Sequence, residues 1–112
     1  MNEIAEGLRR KKCAPCTPGT TPLSNERIRS LLAGLDGWAV ENGALTKRYR
    51  FRDYYDTLAF VNASAWISHR EDHHPDLQVG YNHCTVTYVT HAIGGLSEND
   101  FICAAKLDAL FE

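Results

Sequence analysis

No run of 18 apolar residues occurs in this sequence, so no transmembrane helix is expected. Residues 1–12 are polar and lack the apolar core of a signal peptide. Cysteines number only four, and without a signal peptide they argue against a disulfide framework. Cys84 and Cys103 fall in apolar patterns and read as buried thiols, which points to a reducing, cytoplasmic setting. A net charge of −2 has none of the positive excess that would imply nucleic acid. There is no internal repeat, no low-complexity tract, no Gly-rich phosphate loop and no His-Glu-x-x-His metal motif. Histidine is missing from the whole chain except for residues 69 to 91, where all five lie.

What is present suits one globular domain. The 112 residues leave no room for two, and 44% hydrophobic with 23% charged residues excludes a disordered chain or a coiled-coil rod. Charge is divided unevenly. Residues 1–52 carry ten Lys/Arg against five Asp/Glu, whereas residues 53–112 carry two against nine. The histidines therefore lie in the acidic half, where carboxylates favour the protonated imidazole.

Residues 1–23 read as a flexible leader, with loop chemistry in Lys-Lys-Cys-Ala-Pro-Cys and in the Thr/Pro/Gly run that follows. The domain is expected over 24–112. Ser24 is a good N-cap, Leu23 can staple onto Ile28, and Ile28, Leu31, Leu32 and Leu35 repeat on one helix face. Asn42-Gly43 predicts a hairpin of 38–41 with 44–51, which puts Trp38, Val40, Leu45, Tyr49 and Phe51 on one face. Lys47 is the odd residue on that face and is expected to snorkel at its edge.

Residues 53–70 form a second predicted helix, capped by Asp53, apolar over an arc wide enough to suggest a partner subunit. A second hairpin is expected around Asn82-His83, joining 77–81 to 84–91, with Tyr81 on the core face. Ser97 and Asp100 make a capping-box pattern for a last helix. The predicted class is α+β in two layers: an antiparallel four-stranded sheet with helices on one face, in the order α-β-β-α-β-β-α.

The segment His69-Arg70-Glu71-Asp72-His73-His74-Pro75-Asp76 carries the candidate chemistry. His91 ends the last predicted strand, beside the start of its partner, so His73, His74 and His91 can converge. Three readings stand. The histidines cap a helix C-terminus and do no chemistry. They bind a metal, with Cys13 and Cys16 as further donors, although the separation is far from zinc-finger spacing. Or they transfer protons near neutral pH. His83 reads as a turn residue, Asp100 as a helix cap, and Lys/Arg 9–12 as a solvated run.

Asp72-His73-His74-Pro75-Asp76, then Tyr81-Asn82, Thr90-His91 and Gly95-Leu96-Ser97-Glu98-Asn99-Asp100-Phe101 together resemble the pterin-4a-carbinolamine dehydratase family, from about Ser24 to Leu110. The resemblance implies a dehydratase that converts 4a-hydroxytetrahydropterin to quinonoid dihydropterin and water. That step recycles tetrahydrobiopterin for an aromatic amino-acid hydroxylase and requires no cofactor or metal.

By the same resemblance, His73 and His91 transfer protons and His74 serves binding and catalysis. Asp72 and the backbone of Val89, Thr90, His91 and Ala92 contact the pterin, and Asp100 is a supporting carboxylate. The expected partners are the pterin and further copies of the chain, as a homodimer or homotetramer, with no nucleic acid and no membrane. The alternative is a non-catalytic pterin-binding or protein-partner module, like the coactivator role of animal members. The chain departs from the family at His69, where an acidic residue is common, and at Leu77, where animal members carry an aromatic.

Overall fold

The computed structural model describes residues 2–112. Four helices and four strands follow in the order α1 (Glu3–Arg10), α2 (Asn25–Leu32), β1 (Ala39–Glu41), β2 (Ala44–Arg50), α3 (Tyr54–Glu71), β3 (Asp76–Val79), β4 (His83–Tyr88) and α4 (Glu98–Asp108). The sheet is antiparallel in the order β1-β2-β4-β3. The class is α+β, with helices covering one face of an open sheet.

Local chemistry explains most boundaries. Ser24 accepts from the Arg27 amide and Asp53 from the Asp56 amide, so α2 and α3 each start at a side-chain cap. Asn42 and Gly43 both have positive φ, which is the turn that lets β1 fold back on β2 with Glu41 opposite Ala44. Leu45, Cys84, Val86 and Tyr88 from the two central strands join Phe101, Ile102 and Leu107 of α4 in one core, all at most 2% exposed. Alternation along β4 is regular, as a half-buried strand requires.

The second hairpin differs from the sequence expectation. Val79 pairs with Cys84 and Leu77 with Val86, so the loop is Tyr81-Asn82 and the register is displaced by two residues. Because side chains alternate with period two, the displacement keeps every strand residue on its expected face. Tyr81 leaves the strand: it is 66% exposed and stacks on Tyr54 instead of joining the core, and Val79, 41% exposed, also stays outside it. The Tyr81 carbonyl accepts from Thr57 and the Asn82 carbonyl from the Phe51 amide, tying the loop to α3 and β2. The His83 ring lies over Gly80 and would have to move aside for a Cβ there. The last strand also ends earlier than expected, at Tyr88, and His91 begins a short 3-10 turn.

The flexible leader expected over 1–23 contains a packed helix. Met1 lies outside the described residues. Asn2 caps α1 through the Ala5 amide, Glu3 and Glu6 lie in its first turn, and Arg9 and Arg10 lie in its last, all favourable to the helix dipole. Leu8 is buried at 3% exposed, and Lys106 of α4 donates to the Arg9 carbonyl. Gly34 lets the helix approach, because a Cβ there would collide with Ile4.

Lys47 does not simply snorkel. Its ammonium donates to the Asp36 carbonyl and to Asp108 at 2.9 Å each. Asp108 also accepts from the Trp38 indole and the Tyr49 hydroxyl. Burial, with that bond, pushes the Tyr49 phenol well up, so it remains a donor. Asp108→Ala leaves three donors without their acceptor, and urea denaturation should show a loss of about 2–4 kcal/mol with unchanged m.

Candidate functional site

The site begins where α3 stops. Asp72 takes a left-handed conformation, φ 50°, ψ 45°, which aspartate tolerates better than most side chains. The reversal lets the His73 amide close on the Ser68 carbonyl at 3.2 Å and turns the His73 ring inward. That ring lies parallel to Tyr88, with centroids 5.8 Å apart. Its Nε2 is 2.6 Å from Asp100 Oδ1.

Asp100 is fully buried and every contact it makes is to a donor or to His73. Its Oδ2 accepts from the Thr90 hydroxyl at 2.8 Å and from the Ser97 amide at 3.0 Å. Thr90 and Ser97 hydroxyls meet at 2.7 Å. One oxygen thus caps α4 and the other holds the histidine, so the helix-cap reading and the site reading of Asp100 describe the same residue. A buried carboxylate with several hydrogen bonds is tolerated, whereas an unpaired one is very costly.

Thr90 also bridges Gly95, backbone to backbone, closing the turn that contains His91 and Ala92. Gly94, at φ 64°, supplies the reversal.

A cavity of about 610 Å³ opens over these elements. His73, His74 and His91 all line it, together with Asp72 and the 89–92 segment. The volume lies within the range of small-ligand sites. A second cavity of the same volume, beside Asp108, contains no histidine. His69 is exposed, with its ring 6.3 Å from Trp66, and His83 lies across Gly80; neither lines the histidine cavity. Among the described residues, no three His, Cys, Asp or Glu side chains are grouped as metal ligands.

Residues 12–16 form another part of the cavity lining, with Arg70, Glu71 and Asn99. The sequence pattern puts Arg70 and Glu71 beside the histidines and offers Cys13 and Cys16 only as metal donors; it gives no pocket role to Lys12, Ala14, Pro15 or Asn99. The Cys13 amide donates to Glu71 Oε1 at 2.8 Å, and Lys106 lies 3.4 Å from Oε2. Lys12 donates to the Arg70 carbonyl, and Lys11 reaches Glu98, so the basic run is partly engaged. The available signal was the pairing of a basic leader with an acidic half, which says that they attract but not where.

The arrangement defines a small α+β domain with an open pocket lined by three histidines, one of which is held by a buried carboxylate. Comparison with known proteins places it further. Residues 21–110 match the pterin 4 alpha carbinolamine dehydratase family, and the chain belongs to that family. A protein of Nitrosospira multiformis, provisionally named a pterin-4-alpha-carbinolamine dehydratase, is 58% identical over all of this chain and 99% of its own. A Nitrosomonas europaea protein of the same provisional name is 57% identical over 91% of each chain.

Among solved structures, a transcriptional coactivator/pterin dehydratase from Brucella melitensis superposes with TM-score 0.77 at 30% identity, over 80% of this chain and 98% of its own. A pterin dehydratase-like protein identified as a RuBisCO assembly factor in the alpha-carboxysome gives TM-score 0.55 at 30% identity, over 65% of this chain and 84% of its own.

Burial raises the Glu71 pKa, but the Cys13 amide and the Lys106 ammonium, with Lys12 more distant, outweigh it and hold the carboxyl below its ordinary 4.5. A depressed folded pKa contributes stability that is full above the unfolded value and lost as pH falls through the folded one. Glu71→Gln should therefore be less stable than the parent at pH 6, and urea titrations should show that gap closing as pH drops below about 4.5.

Proposed function

We propose that this chain is a pterin-4a-carbinolamine dehydratase that works by histidine acid/base catalysis. The observation that carries the reading is the convergence of His73, His74 and His91 on one cavity, with His73 held by a fully buried Asp100. The substrate is 4a-hydroxytetrahydropterin. An imidazolium donates a proton to the 4a-hydroxyl as the C4a–O bond breaks, and the bonding pair leaves with water. A neutral imidazole takes the N5 proton, and the product is the quinonoid dihydropterin.

Asp100, as a carboxylate, accepts from His73 Nε2–H and fixes both ring orientation and tautomer. Exchange with substrate then falls to Nδ1. His91 lines the pocket from its own turn, and His74 follows His73 directly. Asp72 and the backbone of Val89, Thr90, His91 and Ala92 supply polar edges for the pterin ring. The setting is cytoplasmic, in line with four free thiols, and the product feeds tetrahydrobiopterin recycling beside an aromatic amino-acid hydroxylase.

The chain works as a homodimer or homotetramer. Tyr55, Leu58 and Trp66 form an exposed stripe on α3 at helical spacing, 81%, 37% and 62% exposed, apolar surface that a second copy would cover.

Stopped-flow ultraviolet absorbance of carbinolamine decay tests the catalytic reading. His74→Ala and His91→Ala should each slow the enzymatic rate by about 10²-fold or more. Rates equal to the parent would overturn the assignment, and pterin binding without turnover in the parent would favour a non-catalytic binding or partner module. Light scattering at micromolar concentration should give two or four chains per particle, and Trp66→Glu should shift that mass toward the monomer.

A further inference from the structure

The family match begins at residue 21, yet the histidine cavity is completed by residues 12–16. We infer that segment 13–16 is a wall of the substrate pocket and that Asn99 is the residue that positions it. This rests on the pterin dehydratase reading and adds to it a determinant of substrate affinity.

Asn99 is 8% exposed, and its side-chain amide is used up on the leader. Its Oδ1 accepts from the Ala14 amide at 3.0 Å, and its Nδ2 donates to the Ala14 carbonyl at 2.6 Å. The pair satisfies both backbone groups of one residue, as a neighbouring strand would. The same Nδ2 lies 3.5 Å from Cys16 Sγ. Cys13 is held independently, by its amide to Glu71 and by its sulfur, 3.6 Å from both the Asn99 carbonyl and Cys103 Sγ. The leader is therefore fastened on both sides of Ala14.

Asn99 and Asp100 are consecutive in the first turn of α4. One grips the leader and the other grips His73, so a single rigid turn sets the spacing between two walls of the cavity. The N1–C2–N3–C4 portion of the substrate's ring system is near-planar and conjugated even though C4a is tetrahedral, and a planar group gains most from a slot of fixed width. Pro15 and Cys16 offer such a group an apolar, polarisable surface, and proline keeps that surface stiff. A wall that must be ordered at each binding event weakens affinity without touching the proton-transfer groups.

The test separates KM from kcat. Asn99→Leu removes both bonds to Ala14, and Pro15→Gly loosens the exposed wall without disturbing the core. Each should raise KM about tenfold and leave kcat within about twofold. Rescue is expected from Asn99→Gln to the extent that it recovers KM.

A second readout does not use turnover. Alkylation of Cys16 by iodoacetamide, followed by mass spectrometry, should slow several-fold in the parent when 7,8-dihydrobiopterin saturates the pocket. Unchanged KM in both variants, equal falls in kcat, or alkylation of Cys16 indifferent to bound dihydrobiopterin would each overturn the wall assignment while leaving the dehydratase reading intact. A parent chain with neither turnover nor dihydrobiopterin binding would instead overturn the functional reading and the wall with it.

Discussion

A carboxylate cannot be buried in an apolar interior unless its oxygens are met by donors. Asp100, wholly buried, imposes that condition on three separate parts of the chain at once. His73 comes from the end of α3, Thr90 from the segment after β4, and Ser97 from the cap of α4. Displacing any one of them leaves the charge short of a partner. The requirement therefore locks the two segments that carry the pocket histidines, the end of α3 and the turn after β4, against the cap of α4, and the pocket above them inherits its shape from it.

α4 extends this role along its length. Its first turn holds His73 through Asp100 and the leader through Asn99. Farther along, Lys106 meets Glu71 and the Arg9 carbonyl, and Asp108 gathers Trp38, Lys47 and Tyr49. Between these polar pins, Phe101, Ile102 and Leu107 supply the buried apolar surface. Hydrophobic burial is non-directional and holds the helix on the sheet; the pins choose its rotation and its depth. Function depends on that choice, because a helix turned by one residue would present Asn99 or Phe101 to His73 instead of a carboxylate.

Much of the fold was legible locally. Ser24 and Asp53 cap helices because their side chains reach amides three residues on, an interaction confined to one turn. Asn42-Gly43 makes a hairpin because both residues accept positive φ. A turn at Asn82-His83, as the local pattern predicts it, puts the second hairpin two residues out of register. Its place was decided instead by Thr57 and Phe51, which anchor the Tyr81-Asn82 loop from other elements. Lys-, Pro-, Thr- and Gly-rich loop chemistry in 1–23 predicts a flexible leader, and the eight residues of α1 would make a marginal helix alone. α1 is stabilised by contacts with α4 and Gly34 that no local pattern displays.

By itself, the sequence determined which residues could do chemistry: five histidines in one acidic window, a capping-box Asp100, and a family resemblance resting on His73, His74, Thr90 and His91. Residue type and spacing suffice for that, since they govern local conformation and proton affinity. Hairpin pairing already singles out His73, His74 and His91, and only the tertiary structure decided what holds them at one cavity. His69 and His83 are as close in sequence as His91, yet the reversal at Asp72 and the turn closed by Thr90 and Gly95 exclude them and admit it. The cavity wall at 12–16 was likewise decided by distant partners, because Asn99 lies 85 residues from Ala14 and a hydrogen bond over that separation exists only once the chain has folded.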